Sequence, residues 1–199
     1  MSTSQPAVLI VGAGPTGLAF AIELRRRQIE CRIIERRSGP SDTSRAITVH
    51  ARTLEILEDM GVVERFLHGG VRNDGYQFNF LGSDMKPNLD YTRLPTRYPY
   101  VCMFNQNETE KILRDHLEHD LGLAIEWDTE LTAIEQDSNN QVTVTVQRSG
   151  SAGTGTETIR PLWVIGCDGI HSPVREALEF KYEGSEYDGL VMQMFDVQL

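Results

Sequence analysis

The patterned part of the chain opens on five consecutive apolar residues, 7–11 (AVLIV). A run with no polar alternation, ended by glycine, predicts a strand buried on both faces, as in a parallel sheet. After the turn 12–17, Leu18, Ala21, Ile22 and Leu24 recur at helical spacing as far as Arg25, Arg26 and Arg27, a basic cluster suited to the negative end of a helix dipole. Residues 31–35 (CRIIE) supply a second short β-type run, so the chain to Glu35 reads as a βαβ unit with a right-handed crossover.

Residues 38–45 turn to Ser, Gly, Pro and Asp and predict a loop. A helix is predicted over 51–60, with Leu54, Leu57 and Ile56 inward and Gly61 ending it. Residues 76–80 (YQFNF) alternate aromatic and polar, as a half-buried antiparallel strand does, and mark the start of a second layer. Asn107 with Glu110 three residues later predicts a helix cap, opening an amphipathic helix through Ile112, Leu113, Leu117 and Leu121 that Gly122 closes. Residues 130–136 and 141–147 alternate around Ser138, Asn139 and Asn140 and predict a β-hairpin, with the Gly/Ser/Thr-rich stretch 149–156 as a flexible tip. A last buried-strand run, 162–165 (LWVI), leads through Gly166, Cys167, Asp168 and Gly169 to a helix capped by Ser172 with Pro173 at its first position.

The segment Gly12-Ala13-Gly14-Pro15-Thr16-Gly17 lies directly between the first strand and the first helix. In such a turn Gly12 permits the tight bend, Gly14 lets the backbone approach a pyrophosphate, and Gly17 lets helix pack close on strand, while the helix N-terminus faces the phosphate charge. Glu35 falls 18 residues after Gly17 at the end of the second strand, where a carboxylate can accept from a ribose diol. It speaks against a 2′-phosphate there, although Arg36 and Arg37 beside it soften that objection. The motif by itself does not separate FAD from NAD.

Charge narrows the partner. With 19 Lys+Arg against 29 Asp+Glu the net charge is −10, a poor footprint for nucleic acid or an anionic membrane, which leaves a small molecule. Three cysteines, Cys31, Cys102 and Cys167, with no CxxC pair, argue against a disulfide framework or zinc site and suit a reduced, cytoplasmic setting; the apolar run 7–11 is too short for a signal peptide or a membrane span. His116 and His119 sit three apart without a converging ligand set, so they read as a solvated helix face and no metal is expected. Met192 and Met194 read as strand residues of a core.

The later motifs carry a resemblance. Ser44-Arg45-Ala46 before the 52–61 helix, Gln106 ahead of a helix, and the run Gly166-Cys-Asp-Gly-Ile-His-Ser-Pro-Val-Arg175 resemble, in order, the series of single-component FAD-dependent aromatic hydroxylases, the p-hydroxybenzoate and phenol hydroxylase family. The resemblance implies an α/β, Rossmann-type FAD-binding fold, discontinuous over 1–75 and 101–180, with 76–100 and 181–199 beginning an antiparallel substrate-binding sheet. It implies contact of Arg45 with the FAD diphosphate, of Gln106 with the phosphate and ribityl portion, and of Asp168 and Gly169 with FAD and the pyrophosphate of a nicotinamide donor. From the residues alone, Arg45 also reads as a solvated loop arginine, Gln106 as a polar residue before a helix, and Asp168 as a turn carboxylate capping backbone amides, with Arg175 either joining that turn or decorating the helix. The implied reaction is hydroxylation of a phenolic or aromatic compound by a monooxygenase using FAD, O2 and NAD(P)H. Its cofactor carries the chemistry, so no catalytic residue is assigned, and a homodimer is admitted. The family's downstream Gly-Asp motif and closing helix are not in this sequence, which predicts a truncated chain. An NAD(P)-dependent dehydrogenase and a non-catalytic FAD-binding remnant are the competing readings.

Overall fold

The computed structural model describes residues 5–41, 46–80, 82, 84–150, 154–184 and 189. Strand β1 (Val8–Val11) is buried at every position, as its unbroken apolar run predicts. The alternation of a strand sends Val8 and Ile10 to one face and Leu9 and Val11 to the other. Helix α1 (Pro15–Arg26) covers the first face with Leu18, Ala21 and Ile22, and β2 (Cys31–Ile34) runs parallel beside β1, adding Cys31 and Ile33 to the same core.

The middle of the chain builds the helical side. It runs through β3 (Thr48–Val49), α2 (Ala51–Asp59), α3 (Val63–Gly69), β4 (Val71–Asn73), β5 (Gly75–Gln77), β6 (Asn88–Asp90), β7 (Val101–Met103) and α4 (Gln106–Asp115), which continues as a π-helical turn, His116–Asp120. Strands β3 and β4 flank β7 antiparallel, and among the described residues β5 pairs only with β6. Leu54, Leu57, Phe66, Leu113 and Leu117 join the α1 core. Ile56 does not: it is 42% exposed, because two residues from Leu54 is about 200° around a helix. The strand expected over 76–80 stops at Gln77, where its three-residue partner runs out, and Phe78 and Phe80 are exposed. Helix α4 starts upstream of the expected Asn107 cap. Backbone bonds from Phe104 and Gln106 to the carbonyls of Ile47 and Ala46 hold the chain against β3, so the helix turns at once with Asn105 as its N-cap.

The opposite face of the parallel sheet is closed by a second sheet. Strands β8 (Thr129–Gln136), β9 (Val142–Arg148) and β10 (Gly155–Ile159) pair antiparallel in that order. The predicted β8–β9 hairpin is present: the Asp137 carboxylate accepts from the N–H groups of Asn139 and Gln141, and Asn140 takes positive φ. Of the predicted flexible tip, Gly155 and Thr156 instead belong to β10, a threonine-rich strand with little apolar signal, and 151–153 lie outside the described residues. Leu131, Val144, Val146 and Ile159 of this sheet meet Leu9, Val11 and Ile34. Strand β11 (Trp163–Gly166) then returns parallel to β1, and α5 (Pro173–Ala177) follows, its N-cap Ser172 Oγ accepting from Arg175 N–H at 3.0 Å as predicted. The run 162–165 is not fully buried. Among the described residues β11 is the sheet edge, order β11-β1-β2, and Leu162 and Trp163 are exposed. No helix among the described residues is long and apolar enough to cross a membrane.

Arg32 stands on the same face of β2 as Ile34, between the two sheets, so its charge must be answered there. Its guanidinium grips Glu126 at 2.6 and 2.7 Å and Glu157 of β10 at 2.7 and 3.0 Å, and Arg148 of β9 reaches both carboxylates. This network is the polar seam of the interlayer core. Arg32→Ala leaves Glu126 and Glu157 partly buried with one cation fewer, and urea unfolding should show a loss of about 2 kcal/mol. A loss within the error of such a titration would mean that Arg148 alone balances the seam.

Candidate functional site

At the carboxyl ends of β1 and β11 the chain turns so tightly that side chains have no room. Gly12 has φ +103°, and a Cβ placed on it would sit 2.3 Å from the Cys167 carbonyl oxygen. A Cβ on Gly17 would sit 1.9 Å from the Gly12 carbonyl oxygen. Backbone bonds from Gly12 N–H to Ile34 and from Cys167 N–H to Val11, 2.8 and 2.7 Å, lock the turn to β2 and β11. Gly14 is different: nothing lies within 4 Å of its Cβ position, and it caps α1 without a side chain, ahead of a first turn holding Pro15 and no acidic residue. The positive end of the α1 dipole, with no acidic residue in its first turn, thus opens onto a cavity of about 330 Å³.

Gly12, Gly14, Glu35, Gln106, Asp168 and Gly169 all line this cavity. Gly17 lies behind it as a packing contact. Arg45 falls outside the described residues, as do Met192 and Met194. Glu35 is 8% exposed, and its carboxylate is already engaged: Oε2 accepts from Ala13 N–H at 2.9 Å, while Oε1 accepts from Arg37 N–H and Nε, both 3.1 Å. Burial pushes its pKa up, but the hydrogen bonds from Arg37 and Ala13 outweigh that and hold it below the usual carboxylate range.

The opposite rim is also pre-engaged. Asp168 Oδ1 accepts from Ser172 Oγ at 2.6 Å and Oδ2 from Val174 N–H at 3.0 Å, so its carboxylate caps α5, the turn role that its Asp-Gly sequence allowed. Arg175 reaches the Ile170 carbonyl at 2.9 Å and is absent from the cavity wall. Gln106 Nε2 donates to Glu110 Oε1 at 2.8 Å, one helical turn on. Sequence reasoning named Glu110 only as part of a cap and missed it as a wall residue, and likewise missed Thr129, Glu130 and Leu131 of β8. The signal for Glu110 was a carboxylate on the inward stripe of α4, four residues from Gln106; β8 carried none. His119 is exposed, His116 Nδ1 contacts Asp120 at 2.7 Å, and among the described residues no three potential metal ligands converge.

Comparison with known proteins gives this geometry a context. Residues 5–199 match the FAD binding domain family. The chain is 45% identical over 98% of its length to pentachlorophenol 4-monooxygenase of Sphingobium chlorophenolicum, of which it covers 36%. It superposes on an anhydrotetracycline hydroxylase from Streptomyces rimosus with a TM-score of 0.80 at 36% identity, over 92% of this chain and 36% of that one. It also superposes on an aklavinone-11 hydroxylase solved with FAD and aklavinone, TM-score 0.73 at 27% identity, over 90% of this chain and 36% of that one. The chain therefore spans about a third of the length of these relatives.

Two outcomes follow from the site's geometry. Gly17→Ala should lower Tm by about 6 °C or more, since the backbone must move, whereas Gly14→Leu should hold Tm within about 2 °C. Equal losses in a thermal melt would contradict the close approach at Gly17. For Glu35, the folded pKa lies below the unfolded value of about 4.3, so its stabilising contribution is present above that pH and fades as pH falls through the folded pKa. The stability gap between wild type and Glu35→Gln should be widest above about pH 5 and narrow on acidification. A gap that widened towards low pH would overturn this assignment.

Proposed function

The chain belongs to the FAD binding domain family, and we propose that its cavity holds the dinucleotide part of FAD in a monooxygenase that hydroxylates a phenolic or aromatic compound. The observation that carries the reading is the uncapped α1 N-terminus, opened to the cavity by Gly14, in a chain whose residues 5–199 match that family. The residues present fit the cofactor: room without a Cβ and an oriented dipole for a diphosphate, and carboxylate and amide acceptors for hydroxyl groups.

The α1 N-terminus and Gly14, together with Arg45, would bind the diphosphate. Glu35 would accept from a ribose diol once the Arg37 guanidinium yields Oε1, with Ala13 N–H still holding the other oxygen. Gln106 would contact the phosphate and ribityl portion, and the Asp168-Gly169 turn would shape the wall, its carboxylate fixed by Ser172 and Val174. When bound, FAD would supply the redox chemistry, in which two electrons from NAD(P)H and two protons let one oxygen atom of O2 enter the ring and the other leave as water. The protein's part is to orient and to exclude water. Names of the relatives, among them a pentachlorophenol monooxygenase and an aklavinone hydroxylase, support an aromatic substrate. In this reading 1–75 and 101–180 form a Rossmann-type body, 76–100 and 181–199 begin the substrate sheet, and the protein works in the cytoplasm.

The test is the absorption spectrum after adding FAD and desalting. Wild type should retain the flavin band at about 450 nm, and Gly14→Leu and the double variant Glu35→Ala, Arg45→Ala should lose it while remaining folded by circular dichroism. Folded wild-type protein that retains NAD(H) but no flavin would sink the proposal.

A further inference from the structure

The Glu35 carboxylate has its acceptor positions filled. An ionised carboxylate offers about four lone-pair sites, two on each oxygen, and four donors reach this one. Two are backbone groups, Ala13 N–H at 2.9 Å on Oε2 and Arg37 N–H at 3.1 Å on Oε1. The other two belong to the Arg37 guanidinium, Nε at 3.1 Å on Oε1 and Nη2 at 3.4 Å on Oε2.

The two pairs differ in freedom. Ala13 is fixed by the glycine turn, and the Arg37 backbone is held on both sides, its N–H by Glu35 and its carbonyl by Asp128 N–H at 3.0 Å, just ahead of β8. The guanidinium, among the described residues, is held by Glu35 alone, and its side chain is 37% exposed on the cavity wall, so it has water to turn into. A ribose diol brings two neighbouring hydroxyl donors, one for each carboxylate oxygen, which is the pattern that the guanidinium fork presents. We infer that the Arg37 fork is a built-in competitor for the ribose: diol and guanidinium take the same two acceptor positions of Glu35, and the backbone N–H groups of Ala13 and Arg37 keep the carboxylate aimed through the exchange. The inference rests on the FAD reading above and adds to it a wall residue that opposes cofactor binding. The same fork answers a buried charge, so one side chain sets stability of the chain against affinity for the cofactor.

Arg37→Met keeps an apolar stem and removes the fork. The measurements are FAD affinity by quenching of flavin fluorescence and a thermal melt without FAD, for wild type, Arg37→Met, Arg37→Lys, Glu35→Gln and the double variant Glu35→Gln, Arg37→Met. Expected for Arg37→Met is FAD binding about fivefold tighter together with a Tm about 3 °C lower. These opposite signs separate a competitor from an arginine that only supports the fold or that touches the cofactor, whose loss would leave affinity unchanged or weaken it. Arg37→Lys, one donor point in place of a fork, should move both quantities in the same directions by less, and it carries the test if Arg37→Met does not fold. With Glu35 already Gln, the gain in affinity should vanish. Affinity unchanged or weaker without the fork, or a gain that persists in the Glu35→Gln background, would overturn the competition. Folded wild type and folded Arg37→Met that both bind no FAD would refute the function proposed for the site, and the inference would fall with it, an outcome distinct from the other two.

Discussion

Everything at this site depends on three backbone segments approaching more closely than any side chain permits. The Gly12 turn touches the Cys167 carbonyl on one side and the first turn of α1, at Gly17, on the other. That contact sets where α1 begins, and so where its dipole points. It also brings the loop after β11 beside the loop after β1, two strands adjacent in the sheet but separated by most of the sequence. Ligands in open α/β sheets collect at the carboxyl ends of the strands because helix N-termini and loops converge there, and here that convergence is enforced by the missing Cβ atoms.

A chain of net charge −10 with Glu35, Glu110 and Asp168 around one cavity is at first sight a poor host for a diphosphate. The hydrogen bonds resolve the conflict. Three of the four wall carboxylates are given internal donors, Ala13 and Arg37 for Glu35, Gln106 for Glu110, Ser172 and Val174 for Asp168, and the fourth, Glu130, is exposed. Acidic residues serve here as acceptors that brace donors and turns, and the lowered pKa of Glu35 is the electrostatic trace of that use. In the proposed reading attraction for phosphate falls to the α1 N-terminus and to Arg45, a local field that the net charge of the whole chain does not describe.

Features that demand a particular residue type were legible in the sequence. The glycine turn, the Ser172-Pro173 helix start, the hairpin around Ser138 to Asn140 and the buried β1 run each require chemistry that few other residues supply, and each is found where the pattern places it. Features decided by what lies alongside were not. Trp163 looked like core because an apolar run does not reveal whether a strand has one neighbour or two. Strand β10 hid in threonines because its order comes from pairing with β9, and α4 began early because β3 held its leading residues. The same divide runs through the site: Gly14 and Glu35 were visible by spacing, whereas β8's share of the wall was invisible, since only the second sheet's position puts it there.

That second sheet joins stability to the site. Leu131 belongs both to the interlayer core, with Val11 and Ile34, and to the cavity wall, and Val11 and Ile34 themselves line the cavity where β1 and β2 end. A shift of the antiparallel sheet would therefore move one wall relative to the α1 N-terminus. What resists the shift is the interlayer packing together with Arg32, whose fork binds Glu126, after the helical side, and Glu157, on β10. Apolar contacts tolerate sliding, but a planar guanidinium shared by two carboxylates is directional. The seam thus contributes register as well as energy: it fixes the β8 wall against the α1 N-terminus across the cavity.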